Sequence, residues 1–235
     1  MILKSNKHIN NFYLIIFIIS VTGFLLRLLG INWDQGNLFH PDERQLLMLS
    51  QEMTFRNLDP DWYNYGTLPL YILEFFSFGI EDMKNLRFPG RIISSLFDSI
   101  TIFIVGELGK RFHSKLCGII SSILYSTCVI ALQLSHFFTV DTFLNTSVVL
   151  IFFLCSNLIK NNNAKNSAYL AIAIGVGFAI KISIFMIAFP VLASLVISSK
   201  LRINYKNFKI YNLKKFLTSG LYICLISFFS FCILN

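Results

Sequence analysis

Apolar residues in this chain run continuously instead of alternating at strand spacing. Runs of about 17 to 20 such residues cover 12–29, 92–108, 116–134, 142–159 and 216–234, each long enough for a helix to cross a hydrocarbon layer of roughly 30 Å. Two regions are less simple. The stretch 68–80 carries Glu74 and as a helix would rise only about 20 Å, too short to cross. The stretch 168–199 is interrupted by Lys181, which predicts two short helices meeting there or a re-entrant hairpin. The pattern predicts an all-α integral membrane fold of about seven transmembrane helices.

Composition agrees with the pattern. With 55% apolar residues, 14% charged residues and a mean hydropathy of +0.65, the chain lies outside the range of soluble globular proteins. The net charge of +8 is scattered between apolar runs and not gathered on one solvated module, so no nucleic-acid partner is expected. Cys117, Cys128, Cys155, Cys224 and Cys232 stand in or beside apolar runs without CxxC spacing and read as small hydrophobes. The first apolar run is too long for a signal-peptide core and lacks a small-x-small cleavage site, so it reads as a retained span.

Charge placement sets the orientation. Nine of the twelve acids fall between Asp34 and Asp82, and none follows Asp141, so one side of the membrane carries nearly all the negative charge. Lys4 and Lys7 place the N-terminus in the cytoplasm. Lys110, Arg111 and Lys115 return to that side only if 68–80 lies flat in the interface, which is the expected placement. Lys160 and Lys165 on one flank of the broken segment, and Lys200, Arg202, Lys206, Lys209, Lys214 and Lys215 on the other, require an even number of crossings between them. Two outer loops result, at about 31–87 and 135–141.

The candidate chemistry lies in these loops. From His40 to Met53 the sequence has helix grammar: Pro41 suits the first helical position, and Asp42 and Glu43 complement the dipole in the first turn. Leu46, Leu47, Leu49 and Met53 form an apolar stripe predicted to lie along the membrane surface. Neighbours on a helix diverge by about 100°, so only one of Asp42 and Glu43 can point squarely into a reaction site. Asp141, at the start of a span, reads either as a helix cap or as the far wall of a site shared with Asp42. His40 and His136 accompany these acids and suggest a divalent metal site. Lys181 would either snorkel to water or hold a phosphate, and Arg87 and Arg91, flanking Pro89, would be interface anchors or phosphate contacts. Arg27 is expected to snorkel. Asp98, an acid within a span, requires a partner or a cavity.

Several of these segments together carry a family pattern: Leu25-Leu26-Arg27-Leu28-Leu29 closing the first span, Phe39-His40-Pro41-Asp42-Glu43, Tyr65-Gly66-Thr67-Leu68-Pro69-Leu70-Tyr71, Leu86-Arg87-Phe88-Pro89-Gly90-Arg91, Lys110-Arg111-Phe112, His136 to Asp141, and Gly175 to Lys181 followed by Pro190. In this order they resemble the lipid-carrier-dependent glycosyltransferases of the GT-C fold, relatives of the protein mannosyltransferases and aminoarabinose transferases of glycosyltransferase family 39. The resemblance implies a multi-pass protein of the plasma (inner) membrane with its active site on the outer, periplasmic face. It implies a polyprenyl-phosphate sugar donor, an acceptor hydroxyl on a lipid, glycan or protein, inverting transfer and, in some members, a divalent metal. Asp42 and Glu43 correspond to the family's acidic pair, with Asp42 as base, and Asp141 to the acid of the second outer loop. Tyr65, Arg87, Arg91 and Lys181 are expected to contact substrate. Relatives continue for several more spans, so residues 1–235 are expected to form a single GT-C-like module that is truncated, degenerate or minimal. The competing class is a non-catalytic multi-span protein, a transporter half or an accessory subunit, for which Asp98 would be the functional charge.

Overall fold

The structure, a computed structural model, describes residues 2–54, 57–77, 79–80, 82–204 and 209–235. Glu81 of the acidic stretch and Lys206 of the basic one lie outside them. The elements in order are α1 (Ile2–Leu28), α2 (Pro41–Glu52), α3 (Leu68–Ser77), α4 (Met83–Phe112), α5 (Lys115–Ser126), α6 (Val129–Ser135), α7 (Val140–Lys160), α8 (Ala164–Phe178), a 3-10 helix (Ile182–Ile187) and α9 (Ala188–Ser199). An antiparallel pair, β1 (Arg202–Asn204) and β2 (Lys209–Tyr211), precedes α10 (Leu213–Leu234).

The protein is an all-α integral membrane protein. Among the described residues, five helical segments are long and apolar enough to cross a membrane: Asn11–Leu28 within α1, α4, α7, the run Ile182–Ser199, and α10. The bent α5–α6 pair makes a sixth. The seventh expected crossing corresponds to α8, whose 15 residues rise only about 22 Å. The interruption at Lys181 falls where the sequence places it. Helix α3, of 10 residues, is as short as expected.

The run 116–134, predicted as one span, is broken at Thr127–Cys128 and bent by 56°. Neither proline nor glycine causes this. The Ser126 hydroxyl donates to the Ile123 carbonyl at 2.8 Å and the Thr127 hydroxyl to the same carbonyl at 3.1 Å, the back-bonding by which Ser and Thr bend helices. The freed Ser126 carbonyl accepts from Arg27 Nη1 at 3.3 Å, so the break is satisfied by a neighbouring helix, as hydrocarbon surroundings demand.

Contacts group the chain into two compact units, Met1–Tyr63 with Pro69–Thr146, and Asn64–Leu68 with Ser147–Asn235. In the first, α4 is the central post against which α1, α2 and α5 pack. A Cβ on Gly106 would meet Ser122 Oγ at 2.3 Å, and one on Gly118 would meet the Gly106 carbonyl oxygen at 2.4 Å. Small residues thus let α4 and α5 approach backbone to backbone, the packing that serves helices in lipid. The expected surface stripe of α2 faces protein: Leu46 and Leu47 are fully buried and Leu49 and Met53 nearly so.

In the second unit α8 packs on α10, where the Ser227 hydroxyl donates to the Ala171 carbonyl at 3.0 Å. The strip Asn64–Leu68 lies along the α8 break: Gly66 N donates to the Ile180 carbonyl at 3.0 Å and Leu68 N to the Ala179 carbonyl at 3.1 Å. The Asn235 side-chain oxygen accepts from both the amide and the hydroxyl of Thr67.

Candidate functional site

One end of the first unit, where α1 ends and α2 begins, is organised by one guanidinium. After α1 the chain turns through Gln35, Gly36 and Leu38, all in the left-handed region with φ of 51°, 85° and 51°, where non-glycine residues are uncommon. The turn aims the amides of Gly36 and Leu38 at the carboxylate of Asp34, at 3.2 and 3.1 Å. Arg91 of α4 completes the arrangement. Its Nη1 and Nη2 donate to the two Asp34 oxygens at 3.0 and 2.7 Å, Nη1 also to the Ile31 carbonyl at 2.6 Å, and Nε and Nη2 to the two Glu43 oxygens at 2.8 and 2.7 Å. All three charged side chains are sealed from solvent. The Arg91 guanidinium bonded to Asp34 holds that carboxyl down at about 2, with help from the two turn amides.

Arg91 therefore spends all five of its N–H groups on the protein and has none left for a phosphate, against the expectation that it contacts substrate. Glu43 is likewise turned inward. Besides Arg91 it accepts the Phe138 amide at 2.9 Å, which ties the start of α2 to the second outer loop. The same junction is packed by the His40 ring, 4.5 Å from that of Phe137. The two outer loops thus meet, as a common site requires. Asp141 stands three residues after Phe138 in the first turn of α7.

Asp42 differs from its neighbour. It is half-exposed in the first turn of α2, about 100° round the helix from Glu43, and makes no ion pair among the described residues. Arg87 is buried, with Nη2 donating to Asn32 Oδ1 at 2.7 Å and its guanidinium carbon 4.2 Å from the centre of the Phe88 ring, yet its Nε has no partner. Of the two arginines only Arg87 keeps donors to spare. In the second unit the Lys181 ammonium lies 5.0 Å from the centre of the Tyr65 ring, a cation–π distance.

The histidines do not fit a metal. His136 has Nδ1 2.6 Å from the Leu132 carbonyl oxygen and Nε2 2.7 Å from that of Leu29, so both ring nitrogens face carbonyl oxygens instead of an ion. His40 caps α2, its Nδ1 accepting from the Glu43 amide across a long 3.5 Å. Among the described residues no group of three or more His, Cys, Asp or Glu is placed to hold a metal.

Arg27 does not snorkel, contrary to expectation. It is fully buried, with Nε 2.5 Å from Asp98 Oδ2 and Nη1 donating to the Gly23 carbonyl at 2.9 Å. Asp98 has found its partner: it also accepts the Tyr125 hydroxyl at 2.6 Å. Both charges lie in helices facing a packed bundle, so pairing inside costs less than reaching the interface. Asp98, the residue that a transporter would exploit, is thereby neutralised.

The residue that sequence reasoning missed is Asp34. Its Asp-Gln-Gly context signals a turn, but nothing local announces an arginine 57 positions away.

Five to six membrane-length helices among the described residues, with acids and arginines gathered where the segments before α2 and α7 meet, define a multi-pass membrane protein. The chain belongs to the dolichyl-phosphate-mannose-protein mannosyltransferase family, whose sequence profile matches residues 69–231. It is thus a relative of the GT-C membrane glycosyltransferases. The match begins within the loop 31–87, beyond Asp42 and Glu43. No curated protein and no solved structure matches the chain.

Proposed function

We propose that this protein transfers a sugar from a polyprenyl phosphate to a hydroxyl on a lipid, glycan or protein at the outer face of the plasma membrane, with Asp42 as general base. The observation that carries this reading is the clasp of Arg91 on Glu43. It fixes the first turn of α2 and leaves Asp42, alone of the acidic pair, turned outward without an ion-pair partner among the described residues. One carboxylate suffices for inverting displacement. Asp42 takes the proton of the acceptor hydroxyl while its oxygen bonds to the anomeric carbon. The bond from that carbon to the phosphate oxygen breaks, and the polyprenyl phosphate leaves with the electron pair. A cation near the phosphate stabilises this charge. Arg87, with its spare donors, is the proposed contact in the first unit, and Lys181 beside Tyr65 in the second. Asp141, entering α7 just beyond the loop junction, is the proposed second acid of the site.

Membranes carrying the protein, supplied with labelled polyprenyl-phosphate sugar, test the reading. Asp42→Asn should lower transfer by roughly 10²- to 10⁴-fold. Undiminished transfer would remove Asp42 as base. Orientation is tested by single cysteines at positions 85 and 113 in a cysteine-free background: an impermeant reagent added outside should label 85 and not 113.

A further inference from the structure

Beyond α1, on the outer side, a cavity of about 320 Å3 is lined by Leu29, Gly30, Trp33, Gln133, His136 and Phe137. Its walls are aromatic. The rings of Trp33 and Phe137 stand nearly perpendicular at 86°, with centroids 5.6 Å apart, and Trp33 remains 46% exposed. Its polar groups are uncommitted: neither the Trp33 indole N–H nor the Gln133 amide has a side-chain hydrogen bond among the described residues. The floor is fixed by His136, whose ring bridges the Leu29 and Leu132 carbonyls.

Three features select the occupant. The volume is at the low end for small-molecule sites, enough for one ring and too little for an isoprenoid or acyl chain. An aromatic wall with free amide and indole donors suits a ligand with both an apolar face and hydroxyls. The Phe137 ring that forms one wall also packs on His40, the N-cap of α2, so the pocket adjoins the start of the helix that carries the proposed base. We propose that this pocket binds a hexopyranose ring, stacked on Trp33 and hydrogen-bonded to Gln133, supplied by the donor's sugar or by a glycan acceptor. The proposal rests on the glycosyltransferase reading and assigns that site its sugar contact.

The chain has two tryptophans, so Trp62→Phe leaves Trp33 as the sole reporter. The full-length variant, in a detergent without a sugar headgroup, is titrated with mannose 1-phosphate, with methyl mannoside and with a short-chain phosphatidylglycerol. The expected result is a saturable change in Trp33 emission with a sugar ligand, weakened roughly three- to tenfold by Gln133→Leu, the magnitude of one lost hydrogen bond. A response to the sugar phosphate alone assigns the donor, and one to both sugars leaves the ring as the recognised element. A response to the lipid alone, no response, or indifference to Gln133→Leu overturns the proposal. Because binding is read without turnover, sugar binding with no transfer would sink the transferase reading only, and transfer with a silent Trp33 would sink the pocket only.

Discussion

Glu43 and Arg91, 48 positions apart in the chain, are joined by two hydrogen bonds of 2.8 and 2.7 Å with both side chains closed to solvent. Removing one member of a buried pair strands the other, at a cost of about 3–5 kcal/mol. Glu43→Gln keeps the shape and one acceptor but loses the charge, and Arg91→Lys cannot span both carboxylates because an ammonium lacks the planar fork. Both variants should lower the thermal midpoint of the detergent-solubilised protein, Arg91→Lys more. Asp42→Asn, whose side chain is half-exposed, should leave it nearly unchanged. A Glu43→Gln protein as stable as the parent, yet inactive, would move Glu43 from holding α2 to taking part in the reaction.

Asp34 carries the acid limb of the same clasp. Its carboxyl is lowered from an ordinary 3.8 to about 2, so the folded state favours the ionised form. The resulting stabilisation is complete above about pH 4, fades as pH falls, and is gone below about 2. The shift is equivalent to roughly 2 kcal/mol. Unfolding midpoints recorded from pH 5 to pH 2 should fall more steeply for the parent than for Asp34→Asn, which has no proton to take up there. Parallel curves would show that Asp34 does not contribute this limb.

Arg27 and Asp98 make a second buried pair, within the bundle, and here the alternative to pairing is hydrocarbon. Asp98→Asn should cost about 3–5 kcal/mol by leaving the Arg27 charge uncompensated. The double replacement Arg27→Leu with Asp98→Leu should recover much of that loss. Recovery stays incomplete because Arg27 also holds the carbonyl of Ser126 at the helix break, a bond of about 1 kcal/mol. Stabilities of the single and double variants in one detergent measure the coupling. Additive losses would mean that each charge is solvated separately.

Legibility in the sequence followed the range of the interaction. Spans were visible because lipid tolerates only long apolar helices, and α2 because Pro41, Asp42 and Glu43 announce a first turn within a few residues. The interruption at Lys181 showed as a charge in an apolar run. The bend at Ser126 and Thr127 did not, since hydroxyl back-bonding looks like ordinary small-residue composition. The stripe of α2, expected along the membrane surface, is covered by protein instead, because periodicity says that a face is apolar and not what covers it. For the site, Asp42 and Glu43 were legible as a pair. Their division into an outward and an inward acid depended on Arg91 and the Phe138 amide, partners that only folding brings near.

Gly66 offers a test of the second unit. A Cβ there would lie 2.1 Å from the Ala179 carbonyl oxygen and 2.8 Å from Ile180 N, all backbone that cannot rotate away. Gly66→Ala must therefore lift the strip Asn64–Leu68 off the break in α8. Its two backbone hydrogen bonds would then be lost at about 1 kcal/mol each, and Tyr65 would be drawn away from Lys181. Hydrogen exchange should find the Leu68 amide, which donates to Ala179, protected in the parent and exchanging freely in the variant. Gly220→Ala in α10 is the control: its Cβ would meet only Leu195 Cδ1, at 3.9 Å, and alanine favours the helix by up to about 1 kcal/mol. If both variants keep the Leu68 amide protected, the strip is not held by close approach at Gly66. If only Gly66→Ala releases it and sugar transfer falls as well, the contact of Tyr65 with Lys181 belongs to the working site.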